Sequence, residues 1–366
     1  MYYGTKIGSS KEKRMGATRG QHYLPQFLLK GFASRTKEKK AWVYCFRRDA
    51  TGKEVSVRDI GKETDFHGNP RDSDLEDKMA AVESVFGPHV ARWREGELLP
   101  GTDEELISPF VGHLIVRTKS IREAFAGGAQ VLMDELLRRL DRGELNPFSQ
   151  PDIEAEMMRR MSENPLFAKF AKQKPREFRA RVSADLAKLK RSGKPLEWAH
   201  QMAVQARATI NVNESIAQAH IKSLSESQIP AVRVQILQTL AWSIARTNHK
   251  EIILGDAGAV AREIDDTQFK HPLALEFSRL GMLCCPIGSS SVLVGRAVGL
   301  DHSFSAAEIN QASAELSREF FVASERNQSF DDLQNVIGKR ADIMSPEEIR
   351  KLIPKEMPPF RRESER

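Results

Sequence analysis

Residues 21–32, which read QHYLPQFLLKGF, place polar side chains that can do chemistry beside an apolar run. His22 can act as a general base or as a metal ligand. Gln26 follows one helical turn later and can share its face. Pro25 and Gly31 suit the start and the end of a short helix. A hydrogen-bonded structural histidine in front of that helix is therefore the alternative interpretation of His22.

Arg117 has an unusual position, three residues after Leu114 and four before Ile121. This spacing puts it on or beside the buried stripe of a predicted helix. An unpaired buried charge is costly, so its guanidinium requires an anionic or carbonyl partner. Two interpretations stay open. Arg117 is either a structural arginine that bridges helices or extends to solvent, or a planar fork that binds phosphate or carboxylate.

Three carboxylates are candidates for acid, base or metal-binding roles. Glu76 and Glu83 are two helical turns apart and lie on one flank of a predicted helix, where either can pair with Arg117. Paired carboxylates can bind a divalent metal or divide acid and base roles, although solvated helix charges are the alternative. Asp256 follows an apolar strand, where it can serve a site or cap the N–H groups of a turn.

Positive charge is concentrated in one segment. Residues 159–194 hold twelve Lys or Arg against three acidic residues, whereas the whole chain has a net charge of only +6. Such a segment is either a phosphate-binding face or a solvated helical face that aids solubility. The candidate nucleic-acid-binding residues are Lys172, Lys174, Arg176, Arg179, Arg181, Lys188, Lys190 and Arg191.

The elements that must position these residues follow from apolar periodicity. Period-two alternation predicts a hairpin at 42–57, and strands are predicted at 252–254, 282–287, 292–294 and 320–323. Helices are predicted at 72–94, 103–142 and 306–318, with a charged helical middle at 151–225. The sequence also predicts a bend or a break at Gly87-Pro88, an interruption at Gly127-Gly128, a buried Phe125, and breaks at Pro165, Pro175 and 193–195.

These elements predict the α+β class, with a mainly helical middle and a small mixed or antiparallel sheet built from N- and C-terminal strands. The two ends are expected to meet in one sheet because a lone hairpin is marginally stable. We predict a disordered basic tail at 1–20 and one α+β domain at 21–345 that carries a helical basic insertion at about 150–225. A flexible tail is predicted at 346–366.

Composition and cysteine usage favour a cytoplasmic protein. The sequence has no apolar run long enough to span a membrane and no signal-peptide core. Cys45, Cys284 and Cys285 have neither disulfide-framework nor zinc-finger spacing, so reduced and buried thiols are predicted.

In this order, the motifs resemble those of the bacterial family called domain of unknown function 4238. The resemblance rests on residues 22–32, the strand Trp42-Val43-Tyr44, the pairs Leu75-Glu76 and Glu83-Ser84, Arg117-Thr118, Trp242, residues 254–260, Pro286 and Asn310. It spans about residues 21–340. The chain departs from the family at Gln21, where many members have a basic residue or histidine, and in the loop around Asp256.

The recurring polar set is His22, Gln26, Glu76, Glu83, Arg117 and Asp256. If these residues converge, they suit hydrolysis of a phosphodiester in nucleic acid or of a phosphorylated ligand. Glu83 and Asp256 would hold a divalent metal or act as base, Arg117 would neutralise developing charge, and the basic segment would steer the substrate. The hypothesis includes a nuclease in phage defence or a toxin.

The alternative is a non-enzymatic interaction or nucleic-acid-binding protein. In that case the same residues form a buried polar network that fixes the fold.

Overall fold

The computed structural model describes residues 20–68, 75–142, 144, 153–300 and 303–352. Of the tail predicted at 1–20, only Gly20 is among them. Of the tail predicted at 346–366, residues 346–352 are described and form a helix, and the remainder lies outside the described residues.

Helices make up most of the described secondary structure. Their bounds are α1 (Gln26–Leu29), α2 (Leu75–Arg94), α3 (Thr102–Arg117), α4 (Lys119–Asp141), α5 (Ile153–Glu163), α6 (Pro165–Gln173), α7 (Pro175–Arg191), α8 (Lys194–Thr209), α9 (Val212–Glu226), α10 (Ala231–Leu237), α11 (Ala306–Leu316), α12 (Gln328–Gln334) and α13 (Pro346–Leu352). None of these helices combines the length and the apolar content that a membrane span requires.

The strands come from both ends of the chain. They are β1 (Gly20–His22), β2 (Arg35–Lys37), β3 (Lys40–Arg47), β4 (Ala50–Ser56), β5 (Lys62–Thr64), β6 (Leu240–Arg246), β7 (Leu254–Gly255), β8 (Val260–Glu263), β9 (Leu280–Gly288), β10 (Ser291–Ala297) and β11 (Phe320–Ala323). The α+β class is confirmed: helices fill the middle of the chain, and small antiparallel sheets join the ends.

Three antiparallel sheets organise these strands. One has the order β2-β3-β11-β7, with β4 also paired to β3, so the N-terminal hairpin and the C-terminal strands do meet. A second has the order β6-β10-β9-β8, and the third is the pair β1-β5. All nine residues of β9 are buried, which explains its uninterrupted run of small and apolar residues.

The described chain forms two compact units. The first, called the sheet unit, holds the described residues up to Phe125 together with Ser215–Ile343. The second, called the helical unit, holds Ala126–Glu214 and the described residues from Met344 onward. The helical unit overlaps the basic insertion predicted at about 150–225, and α6, α7 and α8 begin at the predicted breaks.

Of the bend or break predicted at Gly87-Pro88, the break is wrong, because α2 continues through Pro88. A proline inside a helix removes a backbone hydrogen bond, which normally ends or kinks the helix. Here the turns after Pro88 carry Val90 and Trp93, both fully buried in the main core. Burial of these two side chains offsets the lost hydrogen bond.

The helix predicted at 103–142 is interrupted at Thr118 and not at the Gly127-Gly128 pair, which lies inside α4. Thr118 has extended backbone angles, and its hydroxyl accepts a hydrogen bond from the N–H of Ile121, as a helix-capping threonine does. Because α4 is a separate helix, its buried side does not continue the apolar stripe of α3. The prediction that Phe125 is buried is therefore wrong, since its side chain is 51% exposed.

Candidate functional site

The short β1-β5 pair fixes the position of His22. Its backbone lies opposite Lys62, and α1 begins four residues later at Gln26. The Gln26 amide Nε2 is 3.5 Å from His22 Nδ1, a long contact in which the amide donates. Burial, followed by the charge of Lys62, lowers the pKa of His22. The other ring nitrogen, Nε2, is buried and has no hydrogen-bond partner among the described residues.

Arg117 at the end of α3 joins three elements. Its Nη2 donates to the His22 carbonyl oxygen at 2.6 Å, and its Nη1 donates to Glu83 on α2. Nη1 is also 3.0 Å from His113 Nε2, one turn earlier in α3. The arginine is 1% exposed, so the expected anionic and carbonyl partners are both present. Its Nε is the one guanidinium nitrogen without a partner among the described residues.

His113 is held as a neutral ring. Its Nδ1 lies 2.9 Å from the Gln228 carbonyl oxygen, to which it donates, so Nε2 carries the lone pair that accepts from Arg117. Burial, followed by the charge of Arg117, lowers the pKa of His113 to about 3. His113 therefore supports Arg117 without adding charge to the core.

The structure adds His67, which the sequence interpretation missed. Its imidazole is fully buried, and its Nδ1 is 2.8 Å from Glu76 Oε2. The backbone N–H of His67 donates to Gln21 Oε1 at 2.5 Å, and Gln21 Nε2 donates to the Gly68 carbonyl. Burial lowers the pKa of His67, although the Glu76 carboxylate opposes this shift. Its Nε2 is buried and unpartnered in the described structure.

One signal in the sequence pointed toward His67. Gln21, flagged as a departure from the family pattern, is the residue that holds the His67 backbone. The strand before it, β5, is only three residues long and polar, so periodicity did not predict it. Periodicity therefore did not predict which residues contact the loop that carries His67.

We call His22, His67, Glu76, Glu83 and Arg117 the histidine–arginine cluster. Hydrogen bonds link its members in two groups, His67 with Glu76 and Glu83 with Arg117 and His22. The charges of Glu76 and Arg117 act on both histidines. The Glu76 and Glu83 side chains are 44% and 24% exposed, so the cluster reaches solvent through its carboxylates.

Asp256 has a different environment. Its Oδ1 accepts from the backbone N–H of Arg318 at 2.8 Å, and its Oδ2 accepts from Glu319 and Phe320 at 2.7 and 3.3 Å. Burial raises the pKa of this carboxyl to about 6, against the effect of these three donors. In the described structure no hydrogen bond or ion pair joins Asp256 to the histidine–arginine cluster. This geometry fits the alternative interpretation of Asp256, in which its carboxylate caps backbone N–H groups.

The metal role predicted for Glu83 and Asp256 gains no support from their contacts. Glu83 binds Arg117, and both oxygens of Asp256 bind backbone N–H groups. Across the described ranges, no group of three or more His, Cys, Asp or Glu is arranged to hold a metal ion.

The eight predicted nucleic-acid-binding residues are all exposed and lie on α6, on α7 or at their junction. Lys174 pairs with Glu177 at 3.0 Å, and Arg181 pairs with Asp185 at 3.1 Å. Of these eight residues, six have no acidic partner in the described part of the chain: Lys172, Arg176, Arg179, Lys188, Lys190 and Arg191.

Comparison with known families accounts for nearly the whole chain. Residues 20–345 match the family model described as a protein of unknown function, DUF4238. The chain belongs to the DUF4238 family. Within this DUF4238 protein, the matched region includes every member of the histidine–arginine cluster as well as Asp256. No curated protein and no solved structure matches the chain.

Proposed function

We propose that this DUF4238 protein is a hydrolase that cleaves phosphodiesters and that the histidine–arginine cluster is its site. The observation that carries the proposal is a set of three buried polar atoms without a protein partner in the described structure. They are His22 Nε2, His67 Nε2 and Arg117 Nε. Buried polar groups are nearly always hydrogen-bonded, so we take these three nitrogens of one cluster as the positions that bind a ligand.

The hydrogen bonds at Nδ1 give the two histidines opposite roles. His67 Nδ1–H donates to Glu76, so its Nε2 is a free lone pair that can accept a proton. We assign the His22 proton to Nε2, because the Gln26 amide faces Nδ1 at 3.5 Å, and Nε2–H can then donate a hydrogen bond. A lowered pKa keeps His67 neutral at pH 7, as a general base requires.

These roles define a hydrolytic step. His67 Nε2 takes a proton from water while the water oxygen forms a bond to phosphorus. His22 Nε2–H and Arg117 Nε–H donate to the phosphoryl oxygens, on which negative charge develops. The phosphorus–oxygen bond to the leaving group breaks, and solvent protonates the alkoxide. Asp256 has no part in this step, because its oxygens are bound to backbone N–H groups.

The proposal also includes a location in the cell and a class of substrate. A cytoplasmic location is supported by the three cysteines, which are free and buried. A nucleic-acid substrate is supported by the exposed cations of α6 and α7.

A structural role for the cluster is the competing proposal, and one observation favours it. Arg117 is 1% exposed and connects β1, α2 and α3, as a buried network residue does. In that case, the protein would bind a partner without catalysis.

The test compares two histidines that each face a carboxylate. The full chain is incubated with bis(p-nitrophenyl) phosphate and with labelled DNA and RNA strands, both in chelator and with divalent ions. His67→Asn is expected to lower the rate by at least about 100-fold, the usual range for a lost general base. The matched control is His89→Asn. His89 lies 3.2 Å from Asp103 on α3, outside the cluster, and the rate of this variant should match that of the wild type.

Thermal denaturation separates the two proposals. His67→Asn removes one side-chain hydrogen bond and should cost about 1 kcal/mol of stability. A variant that folds and loses cleavage supports the hydrolase. Wild-type protein that cleaves no substrate, or cleaves at the same rate as His67→Asn, contradicts it.

A further inference from the structure

Helix α6 of the helical unit leaves its apolar side chains uncovered. It has no buried residue, and Leu166, Phe167 and Phe170 are 83%, 39% and 37% exposed. These three positions are spaced i, i+1 and i+4, so they share one side of the helix. Lys169, three residues after Leu166, borders this side and is also exposed. An exposed apolar patch rimmed by polar residues is typical of a surface that binds a partner or ligand.

This face is held in place by the rest of the helical unit. Asn164 caps the start of α6 by accepting a hydrogen bond from the Leu166 N–H at 2.9 Å. The ring of Phe170 lies edge-on to the ring of Phe178 on α7, with 5.9 Å between their centroids. Phe178 is buried together with Val182 and Leu186 along one side of α7. The exposed rings therefore project from a packed support.

The neighbouring charge is almost all positive. On α6 and α7, Lys169 and the six cations named above have no acidic partner in the described structure, and the acidic residues of these two helices are Glu177 and Asp185. Each of these two carboxylates already pairs with a different cation, Lys174 or Arg181. The remaining cations are free to neutralise the charges of an anionic polymer.

We propose that α6 and α7 form a binding surface for single-stranded nucleic acid, in which the unpaired cations contact phosphates and bases stack on Phe167 and Phe170. The inference rests on the proposed function and deepens it by naming the polymer. Single-strand binders combine a cationic surface with aromatic rings on which bases stack. A duplex hides its base faces and would leave these rings unused.

A lipid surface is the other occupant that basic helices with apolar faces suit. The placement of charge favours nucleic acid. Most unpaired cations lie on α7, and the apolar side of α7 is buried by Phe178, Val182 and Leu186. α7 therefore has no exposed apolar stripe to insert among acyl chains.

Fluorescence anisotropy tests the surface with a labelled oligo-dT strand, a labelled duplex and phosphatidylserine vesicles. The full chain carries His67→Asn so that bound strands are not cut. The cation variant is Lys172→Ala/Arg176→Ala/Arg179→Ala, and the stacking variant is Phe167→Ala, which spares the Phe170–Phe178 contact. The matched control is Lys174→Ala/Arg181→Ala, which removes cations already paired with carboxylates.

The cation variant is expected to bind the strand at least about tenfold more weakly. The slope of log affinity against log salt should also become shallower by about 2, because each of the three lost phosphate contacts contributes roughly 0.7 to it. Phe167→Ala is expected to weaken binding about tenfold with an unchanged salt slope, because stacking is not ionic. The control variant should stay within about twofold of the parent.

Several results would overturn the surface: equal affinity for strand and duplex, unchanged binding by Phe167→Ala, or binding to vesicles in the absence of strand binding. Its failure is separable from that of the proposed hydrolase. Strand binding by this surface, with cleavage that is unchanged in His67→Asn, contradicts only the assignment of the histidine–arginine cluster as the hydrolytic site. Cleavage of bis(p-nitrophenyl) phosphate that depends on His67, without strand binding, contradicts only the surface.

Discussion

Asp256 and the histidine–arginine cluster are both buried polar regions of the sheet unit, but they differ in how completely their hydrogen bonds are filled. Both Asp256 oxygens accept backbone N–H groups, three in all. In the cluster, one nitrogen each of His22, His67 and Arg117 has no partner among the described residues. A polar group whose bonds are filled stabilises the fold, whereas the open nitrogens of the cluster are the observation on which the proposed function rests.

The comparison also separates residues that the sequence treated alike. Asp256 and Glu83 were one predicted metal pair, yet Asp256 bonds the start of β11 and Glu83 bonds a buried arginine. Both side chains are carboxylates, and their different partners decided their roles.

The largest effect expected on stability comes from removing the filled carboxylate. Asp256→Ala leaves three backbone N–H groups without their acceptor and should lower the unfolding free energy by about 3–5 kcal/mol. Urea titration measures this loss. Asp256→Asn keeps one acceptor oxygen and should lose less. If Asp256→Ala lowers the unfolding free energy by less than about 1 kcal/mol and also abolishes cleavage, Asp256 belongs to the hydrolytic site after all.

A smaller effect is expected when the shape of the Arg117 cation changes. Lysine keeps the charge but cannot reach Glu83, the His22 carbonyl and His113 at once, because it lacks the planar fork. Arg117→Lys should therefore lower the unfolding free energy by about 2 kcal/mol. Unchanged stability in the same urea titration would show that these hydrogen bonds do not support the fold.

Acid should change the unfolding free energy with opposite signs at two histidines outside the cluster, His113 and His220, and at Asp256. The pKa values of His113 and His220 are lowered by burial to about 3 and 4, so the unfolded state takes up protons first as pH falls below about 6.5. Each histidine should therefore lower the unfolding free energy by about 1.4 kcal/mol per pH unit, from about pH 6.5 toward pH 4. Asp256, whose pKa is raised to about 6, contributes the opposite sign as pH falls from about 6 to 4.

Urea titrations at several pH values between 7 and 4 measure these slopes. His220→Gln should reduce the slope by one proton. His249→Gln, at an exposed histidine, provides the matched control. Equal slopes in both variants would contradict the assignment of His220 as a neutral ring that donates to the Val116 carbonyl oxygen and accepts from Arg122 Nε.

Much of the fold followed from local pattern. Period-two alternation located the hairpin β3-β4, and apolar runs located β9, β10 and β11. The errors came where distant residues outweighed local preference. Pro88 is accommodated because Val90 and Trp93 are buried, and neither burial can be read from the residues around the proline.

The sequence by itself determined the α+β class, the family, and the need of Arg117 for buried partners, because periodicity, motif order and the cost of an unpaired charge are local properties. Only the tertiary structure decided which partners those were. It brought His67 to Glu76, excluded Asp256 from the cluster, and left three nitrogens unfilled. These outcomes depend on contacts between residues far apart in the chain, and the chemistry of such a polar residue is set by the atoms that surround it.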